Sequence, residues 1–543
     1  MRKLYTIITI IFVISYSQAQ QKIIKPSNAH LRWHNWEQIM FIHFDPATWQ
    51  NREYDNRSTP LKRINPTKLD TDQWCAVAQS WGAKAIIFVA KHVGGFCWWQ
   101  TETTEYSVRN TPYKDGLGDP LAELSESCEK YGLHLGVYVY SGDESWGATI
   151  GSGGKTTDPS KQLNYNKIYR QQLTEVLSRY GKIKELWFDG GCVVPVDDIL
   201  EKYAADAVIF GGSEPHNVVR WVGSEDGYCF YPNWYVHNNL WQPVEVDVPL
   251  LKNGGHKWFW TPNSDNLLMT TEQFIDRYYK SVGRGAVLLL NSTPDTTGLI
   301  PASHVARYKE FGEELNRRFS KPLAKIAGRE IKFYGPTKIN HIITSEDLQN
   351  GQLVKKYRIE GKTDRGWQVL TTGESIGHKR IERIDDVEVS GLRIVFEDSL
   401  ASPYIKNFEA YYVVENLSWG ESSLGLPITI MNWQYDDFEQ QDKYVEIDLT
   451  KYITEIGTYE IDFLETSRLD DGRDCKLYIR EWSVEMYGSI RDESITKDEK
   501  HNRLKIVRSQ QTLDNFPTIL KLKIARGEGR SAGDITIVRQ KYE

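Results

Sequence analysis

KELWFDGG, residues 184–191, ends a short apolar run with an aspartate and two glycines. Leu186, Trp187 and Phe188 are typical of a buried strand, and Asp189 follows them directly. Aspartate is unfavourable in strands, and burial of its charge without a partner is costly. The segment therefore predicts an architecture in which buried strands end at a polar site.

Apolar runs of this kind recur along the first part of the chain, and amphipathic helical stretches separate them. They lack in/out alternation, as is typical of a buried parallel sheet. The runs are 39–44, 84–90, 133–138, 183–188, 207–211 and 286–290. Strand–helix repetition over about 300 residues predicts the α/β class with a (β/α)8 TIM-like barrel. The alternative is an open doubly wound sheet, which is disfavoured because no glycine-rich phosphate turn follows the first strand.

Beyond residue 325 the pattern changes to strict apolar/polar alternation, which is typical of half-exposed antiparallel strands. Examples are LRIVFED at 392–398, YVEIDLT at 444–450 and ILKLKIA at 519–525. Two β-sandwich modules are therefore expected behind the barrel. The stretch 357–381 resembles a discoidin-type module, which we interpret as a buttress for the barrel. The predicted boundaries are 20–322 for the catalytic barrel, 323–418 for the discoidin-like β-sandwich and 419–543 for the second module.

The composition of the 543-residue chain is that of a globular protein, since 40% of its residues are hydrophobic and 26% are charged. Its net charge of −7 without a basic run argues against nucleic acid as a partner. Aromatic residues make up 12% of the chain, including 18 Trp, and such a surplus often lines grooves that stack against sugars. No oligomeric state follows from these features.

The N-terminal segment has the three parts of an export signal, namely a basic start, an apolar stretch at 4–14 and a small-residue cleavage site at 17–19. We therefore expect residues 1–19 to be a signal peptide, and the mature chain to begin near Gln20 in the periplasm or the medium. No later segment reaches the roughly 18 apolar residues of a membrane span, so no membrane insertion is expected.

Polar and aromatic side chains follow the predicted strands at the ends where a barrel carries its active site. The first run ends at His43, the second at His92, the third near Tyr138 and Tyr140, and the fourth at Asp189. Each alone is a weak signal, because a strand-end aspartate often caps the next helix. Their coincidence at successive strand ends predicts a mouth that binds hydroxyl groups.

Six blocks occur in order over roughly residues 30–320. They are FIHFDPATWQNREY, AKHVGGFCWWQTETTEYSVRNTPY, GVYVYSGD, ELWFDGG, RWVGSEDGY with WQPVEVDV, and YYKSVGRGAVLLLNSTPDTTGLIP. Together they resemble the retaining α-L-fucosidases of glycoside hydrolase family 29. The blocks RWVG and WQPVEVDV are similar to the branch of that family associated with α-1,3/1,4-linked fucosides.

The resemblance implies an exo-acting hydrolase that releases terminal α-L-fucose from a glycan or oligosaccharide with retention, through a covalent glycosyl-Asp intermediate. It implies Asp189 as the nucleophile and Glu245 as the general acid/base. The nearby Asp247 and Glu225 are the fallback candidates for the acid/base. Retention needs two carboxyls about 5–5.5 Å apart, one that attacks the anomeric carbon and one that serves first as acid and then as base.

The resemblance also implies a set of substrate-binding positions, which are His43, Glu53, Tyr54, His92, Tyr138, Trp187 and Arg220. The histidines and the glutamate match residues that hydrogen-bond sugar hydroxyls, and Trp187 matches an aromatic packed against the sugar. Tyr54 stands where the family often has Trp, and Tyr138 matches a tyrosine near the nucleophile. Arg220 is a candidate to orient a carboxylate or a hydroxyl, and a structural ion pair is the alternative.

One departure from the family pattern concerns the glycone. The family typically reads KHHDGF where this chain has KHVGGF at 91–96, so that Val93 and Gly94 replace a histidine and an aspartate. The change removes a hydrogen-bond donor, which is worth roughly 1–3 kcal/mol if a hydroxyl is left unpaired. We expect open space at Gly94, and L-galactose, which carries a hydroxyl on C6, becomes an alternative to L-fucose.

No metal or cofactor is expected. The 12 histidines include no HExxH motif, and the six cysteines show no metal-ligand spacing. Cys75, Cys97 and Cys128 are expected to be buried free thiols, although a disulfide remains open. A non-catalytic carbohydrate-binding protein is the alternative from another class, and the intact Asp189 and Glu245 argue against it.

Overall fold

Eight parallel strands close into a barrel in the computed structural model of the chain, which confirms the fold class. The barrel strands are β1 (Gln38–Ile42), β2 (Ala85–Lys91), β3 (His134–Val139), β4 (Glu185–Trp187), β5 (Val208–Phe210), β6 (Asn217–Trp221), β9 (Val244–Val248) and β10 (Val287–Ser292). A hairpin of β7 (Val236–His237) and β8 (Leu240–Trp241) precedes β9. Closure is visible at Ile39, which pairs with Leu289 on one side and Ala85 on the other.

The structure describes residues 22–251 and 258–415 without a gap. In the C-terminal part it describes 428–433, 443–450, 452–453, 457–465, 477–486, 489–490, 495–498, 503–508, 518–526 and 533–539. The predicted signal peptide and the predicted module boundary at 418 lie outside the described residues.

Helices cover most of the barrel, but not all of it. They are α1 (Asn28–His34), α2 (Ala47–Gln50), α3 (Thr71–Ser80), α4 (Pro120–Tyr131), α5 (Gln162–Arg179), α6 (Asp197–Tyr203), α7 (Thr271–Lys280) and α8 (Ala302–Phe319). Residues 211–216 and 222–243, which are all described, contain no helix between β5, β6 and β9. None of the described helices is long and apolar enough to cross a membrane.

The barrel strands are buried on both faces, which explains their missing alternation. Odd-numbered residues of β1, such as Phe41, lie in the cluster that fills the barrel, whereas even-numbered ones, such as Met40, lie in the cluster under the helices. On β4 and β10 the inward positions include Trp187 and Leu289. Asp189 continues the inward series of β4 beyond its end.

The strands after the barrel form antiparallel sheets, as predicted. The first sheet has the order β11 (Ala324–Ile326), β16 (Ile405–Tyr411), β12 (Glu330–Glu346), β15 (Arg380–Ser399), β13 (Val354–Thr363) and β14 (Gly366–Gly373). Two further sheets share one apolar core. One has the order β17 (Ile428–Trp433), β25 (Gly533–Arg539), β19 (Gly457–Glu465), β23 (Arg503–Arg508) and β22 (Ile495–Asp498). The other has β18 (Lys443–Asp448), β24 (Ile519–Arg526), β20 (Leu477–Met486) and β21 (Ser489–Ile490).

Loops of the first C-terminal sheet cover the part of the barrel that has no helix. The Tyr231 hydroxyl accepts from the Ser375 N–H at 3.2 Å and donates to the Ser375 carbonyl at 3.1 Å. The Tyr235 hydroxyl accepts from the His378 N–H at 2.9 Å and donates to the Gly285 carbonyl at 2.7 Å. The sheet therefore supports the barrel where helices are missing.

The prediction of buried free thiols is confirmed. Cys75, Cys97 and Cys128 are free and buried, and Cys192 and Cys229 are free as well. The remaining cysteine, at 475, lies outside the described residues.

Candidate active site

Asp189 lies at the mouth of the barrel, at the carboxyl ends of the strands. Gly190 and Gly191 follow it with φ angles of 68° and 81°, and these left-handed conformations turn the chain sharply away. The Tyr138 hydroxyl donates to Asp189 Oδ2 at 3.1 Å. The Asp189 side chain is accessible to solvent. Partial desolvation in the concave mouth, together with the nearby charge of Glu225, raises the pKa of Asp189.

The two predicted histidines meet at this mouth, with ring centroids 6.2 Å apart. Burial, helped by the charge of His92, holds the pKa of His43 well below its usual value, and burial alone lowers the pKa of His92 to about 4. His92 Nδ1 faces Asp45 Oδ2 at 3.8 Å, and both atoms are buried. Near neutral pH both rings are uncharged, so each offers one donor and one acceptor nitrogen.

Tyr54 and Glu53 lie at the rim. The Tyr54 side chain is 46% exposed, and its ring stacks parallel to His92 with centroids 6.1 Å apart. Desolvation, followed by the charges of Glu53, Glu225 and Asp189, raises the pKa of Tyr54. Glu53 Oε1 accepts from the Trp258 N–H at 3.3 Å. The structure therefore places Tyr54 against His92 and Glu53 against the segment that begins at Trp258.

Two further aromatic residues lie at this site and were not predicted from the sequence. The Trp258 ring lies 5.0 Å from His43, and the fully buried Phe259 lies 5.3 Å from both His43 and His92. Three aromatic residues in a row at 258–260 were the available signal. They were not predicted because they do not directly follow a predicted strand, as the other site residues do.

Glu225 is the acidic residue that joins Asp189 at the mouth. It follows β6 and is half-buried, and its charge acts on Asp189, Tyr54 and Asp247. Asp247 is nearly inaccessible, and its Oδ1 accepts from the Trp221 indole N–H at 2.7 Å. Desolvation and the Glu225 charge raise the pKa of Asp247 well above its usual value.

The structure corrects the expectation for Glu245. This side chain is completely buried, and its Oε2 accepts from the Trp187 indole N–H at 2.8 Å. Its carboxyl also interacts with Glu185, which precedes Asp189 by four residues, or about 13 Å of extended chain. Glu245 therefore faces the barrel interior below the mouth, where an aglycone oxygen has no access.

Trp187 and Arg220 also differ from expectation. The Trp187 ring is only 4% exposed and stacks on Phe210 at a centroid distance of 3.6 Å, so it forms the floor under the mouth rather than a wall against the sugar. Arg220 donates to the carbonyls of Gln242 and Trp234 at 3.0 and 2.9 Å. It lies between inward-facing neighbours of β6 and points away from the barrel interior.

The structure contradicts the open space expected at Gly94. A Cβ placed there would lie 2.1 Å from Asp55 Oδ2, so the Asp55 side chain already fills that position. Asp55 is buried and accepts from the Gln50 amide at 2.6 Å and the Tyr106 hydroxyl at 2.9 Å. Val93 is buried in the apolar cluster of the barrel interior.

Glu185 and Glu245 form a buried acid pair. Trp33 donates to Glu185 Oε2 at 3.1 Å and Trp187 donates to Glu245 Oε2, which leaves Oε1 of each acid without a protein donor. Desolvation raises the pKa of Glu185 to about 8, and desolvation with the charge of Glu185 raises that of Glu245 well above its usual value. Both shifts favour the protonated, uncharged form of these carboxyls.

Sugars present hydroxyls and apolar C–H faces, and this mouth offers uncharged imidazoles for the first and aromatic rings for the second. Among the described residues, no group of histidine, cysteine and acidic side chains is arranged to hold a metal ion. Two carboxyls at such a mouth define a barrel enzyme that acts on carbohydrate.

Comparison with known proteins gives the family. The sequence model described as alpha-L-fucosidase matches residues 16–318. Alpha-L-fucosidase 1 of Arabidopsis thaliana is 29% identical over 458 residues, which cover 71% of this chain and 87% of that protein. The chain belongs to the α-L-fucosidase family and is a glycoside hydrolase.

Solved structures agree with this assignment. A crystal structure from Bacteroides thetaiotaomicron, described as an alpha-L-fucosidase, is 34% identical and has a TM-score of 0.68 over 72% of this chain and all of that chain. A family 29 fucosidase of Ruminococcus gnavus in complex with fucose is 25% identical, with a TM-score of 0.63 over 72% of this chain and 95% of that chain. A family 29 member from a rumen bacterium covers 96% of each chain at 24% identity and a TM-score of 0.68, which extends the shared fold to the C-terminal sheets.

The buried acid pair predicts a pH-dependent stability. Raised pKa values mean that the folded state keeps protons that the unfolded chain has released, so the pair lowers the free energy of unfolding as pH rises from about 4.5 to about 8. In Glu245→Gln the amide oxygen accepts from Trp187 and the amide nitrogen donates to Glu185. We therefore expect a smaller drop in melting temperature between pH 5.5 and 8 than in the unsubstituted protein, with most of the activity retained.

Glu185→Gln is the matched control, since it should reduce the same pH dependence through the other partner. A Glu245→Gln variant with unchanged pH dependence and abolished turnover would contradict this interpretation and restore Glu245 as a catalytic residue.

Proposed function

We propose that the protein is an exo-acting α-L-fucosidase that works with retention, with Asp189 as nucleophile and Glu225 as general acid/base. The observation that carries the proposal is that both residues follow the carboxyl ends of barrel strands, Asp189 after β4 and Glu225 after β6, and that the charge of Glu225 adds to the desolvation that raises the pKa of Asp189. The R. gnavus relative, whose structure holds fucose, supports the choice of sugar.

Asp189 has the properties that a nucleophile needs. It is accessible to a ligand, and the Tyr138 hydroxyl stabilises its ionised form. In the first step a carboxylate oxygen attacks the anomeric carbon while the bond to the aglycone oxygen breaks. The buried Tyr138 ring packs against Phe41 and Trp187, and this packing holds its hydroxyl at Asp189.

Glu225 fits the acid/base better than the other two acidic candidates. It lies on a loop, is half-buried, and can exchange protons with both the aglycone and water. Asp247 is bound to Trp221 and is nearly inaccessible, and Glu245 is enclosed. Glu225 protonates the departing oxygen in the first step, then removes a proton from the water that releases the sugar from Asp189.

Azide rescue distinguishes the two roles by stereochemistry. In Glu225→Ala, azide attacks the glycosyl-Asp189 intermediate and gives the α-L-fucosyl azide, because two inversions restore the configuration. In Asp189→Ala, azide replaces the nucleophile and a single inversion gives the β-azide. We expect each variant to lose about 10²–10⁴-fold in turnover of an aryl fucoside without azide, with the smaller loss in Glu225→Ala when the leaving group needs no proton.

The products are identified by the NMR coupling of the anomeric proton. Asp247→Asn and Glu245→Gln are the controls, and neither should yield azide product. An α-azide from either control, or none from Glu225→Ala, would assign the acid/base elsewhere.

For the substrate, we propose a terminal α-L-fucose in α-1,3 or α-1,4 linkage, in line with the RWVG and WQPVEVDV blocks. Val93 and Phe259 are buried apolar side chains, and they offer no partner for the extra C6 hydroxyl of L-galactose. Aryl α-L-fucoside should therefore be cleaved with a kcat/KM at least about tenfold above that of the aryl α-L-galactoside, as expected for one unpaired hydroxyl. Equal rates, or cleavage of α-1,2-linked fucose alone, would overturn this assignment.

We further propose that the chain is exported, on the pattern of residues 1–19. The mature protein should then begin at Gln20, which N-terminal sequencing of protein from the periplasm or medium checks. Retention of residues 1–19 on the cell-bound protein would contradict it.

A further inference from the structure

Asn291 is a buried amide that both the sequence analysis and the family blocks left without a role. It lies on β10, two residues after the inward-facing Leu289, and is completely buried. Its Nδ2 donates to the Trp258 carbonyl at 2.9 Å, and its Oδ1 lies 2.7 Å from His43 Nδ1. One amide thus joins a strand-end histidine to the aromatic loop of the mouth.

These two contacts determine the tautomer of His43. A carbonyl oxygen only accepts, so the Trp258 contact requires the Asn291 nitrogen on that side. The amide oxygen then faces His43, and an amide oxygen also only accepts. His43 Nδ1 must therefore carry the hydrogen, and in the neutral ring Nε2 carries a lone pair.

The surroundings of His43 leave that lone pair for a ligand. The rings within about 6.3 Å of the imidazole belong to Phe41, His92, Tyr138, Trp258 and Phe259. The only hydroxyl among them, on Tyr138, donates to Asp189. Burial keeps the imidazole uncharged, so Nε2 is an acceptor and not a donor.

We propose that Asn291 is a positioning residue that holds His43 in the Nδ1–H tautomer, so that Nε2 accepts a hydrogen bond from a hydroxyl of the glycone. The inference rests on the proposed function, because it needs a sugar at this mouth. It also specifies the direction of the hydrogen bond. The sugar hydroxyl must donate to His43, and the oxygen of that hydroxyl can still accept a hydrogen bond from another group.

A double-mutant cycle tests the coupling. We expect Asn291→Ala to lower kcat/KM for the aryl fucoside about tenfold, the loss expected for one well-placed hydrogen bond. In a His43→Ala background the same substitution should cost at least about threefold less, because the tautomer no longer matters. Additive losses would overturn the proposal and leave Asn291 as a support for the Trp258 loop alone.

Asn233→Ala is the matched control. Asn233 is a buried amide whose Nδ2 donates to the Arg284 carbonyl at 3.0 Å and whose backbone N–H donates to Ser375 of the C-terminal sheet at 3.1 Å. Its removal should lower the melting temperature without coupling to His43→Ala. Coupling of the same size at Asn233 would show that the cycle reports general loosening of the barrel.

The tautomer is read without substrate from nitrogen-15 shifts of histidine-labelled protein, in which the His43 signals are those missing from His43→Ala. We expect a protonated Nδ1 and a bare Nε2, and loss of this preference in Asn291→Ala. A protonated Nε2 in the unsubstituted protein would refute the inference. Failure to cleave any fucoside would instead refute the proposed function, and the tautomer would still be decided.

Discussion

The closed barrel imposes one constraint on everything inside it, which is that each inward polar atom must find its partner within the barrel. At Glu185 and Glu245, Trp33 and Trp187 each donate to one carboxyl oxygen, and burial raises the pKa of both acids, which favours their uncharged forms. The contact also fixes the Trp187 indole, which stacks on Phe210 and closes the floor of the mouth. Glu245, which the family resemblance implied as the acid/base, thus holds the Trp187 side chain in place below Asp189.

Most of the fold was predictable because strands that are buried on both faces appear in the sequence as runs of consecutive apolar residues. Six apolar runs matched six of the eight strands, and their lack of alternation followed from burial on both faces. The strands β6 and β9 were not predicted because no helix lies in the described segments between β5 and β6 or between β6 and β9, and because charged residues interrupt their apolar character. The sequences of β6 (NVVRW) and β9 (VEVDV) are as compatible with loops as with strands, and only their pairing in the folded barrel identifies them as strands.

The site was predictable where a residue ends a recognised strand, as for Asp189, His43 and His92. The site was not predictable where the role of a residue depends on whether its side chain points into or out of the barrel. Glu245 and Arg220 sit on the two unrecognised strands, so their inward and outward directions could not be assigned. The prediction of open space at Gly94 was wrong for another reason. Asp55 is 39 residues away in sequence, and only folding brings its carboxylate next to Gly94.

The stretch without helices between β5 and β9 ties the catalytic barrel to its neighbour. Tyr231 and Tyr235, within this stretch, form hydrogen bonds with loop residues 374–378 of the next sheet. A barrel cut off at residue 322 would leave these hydroxyls and an apolar flank open to water. The accessory sheet therefore completes the wall of the barrel along this stretch, and a barrel that exchanged this sheet for another would need new partners for both tyrosine hydroxyls.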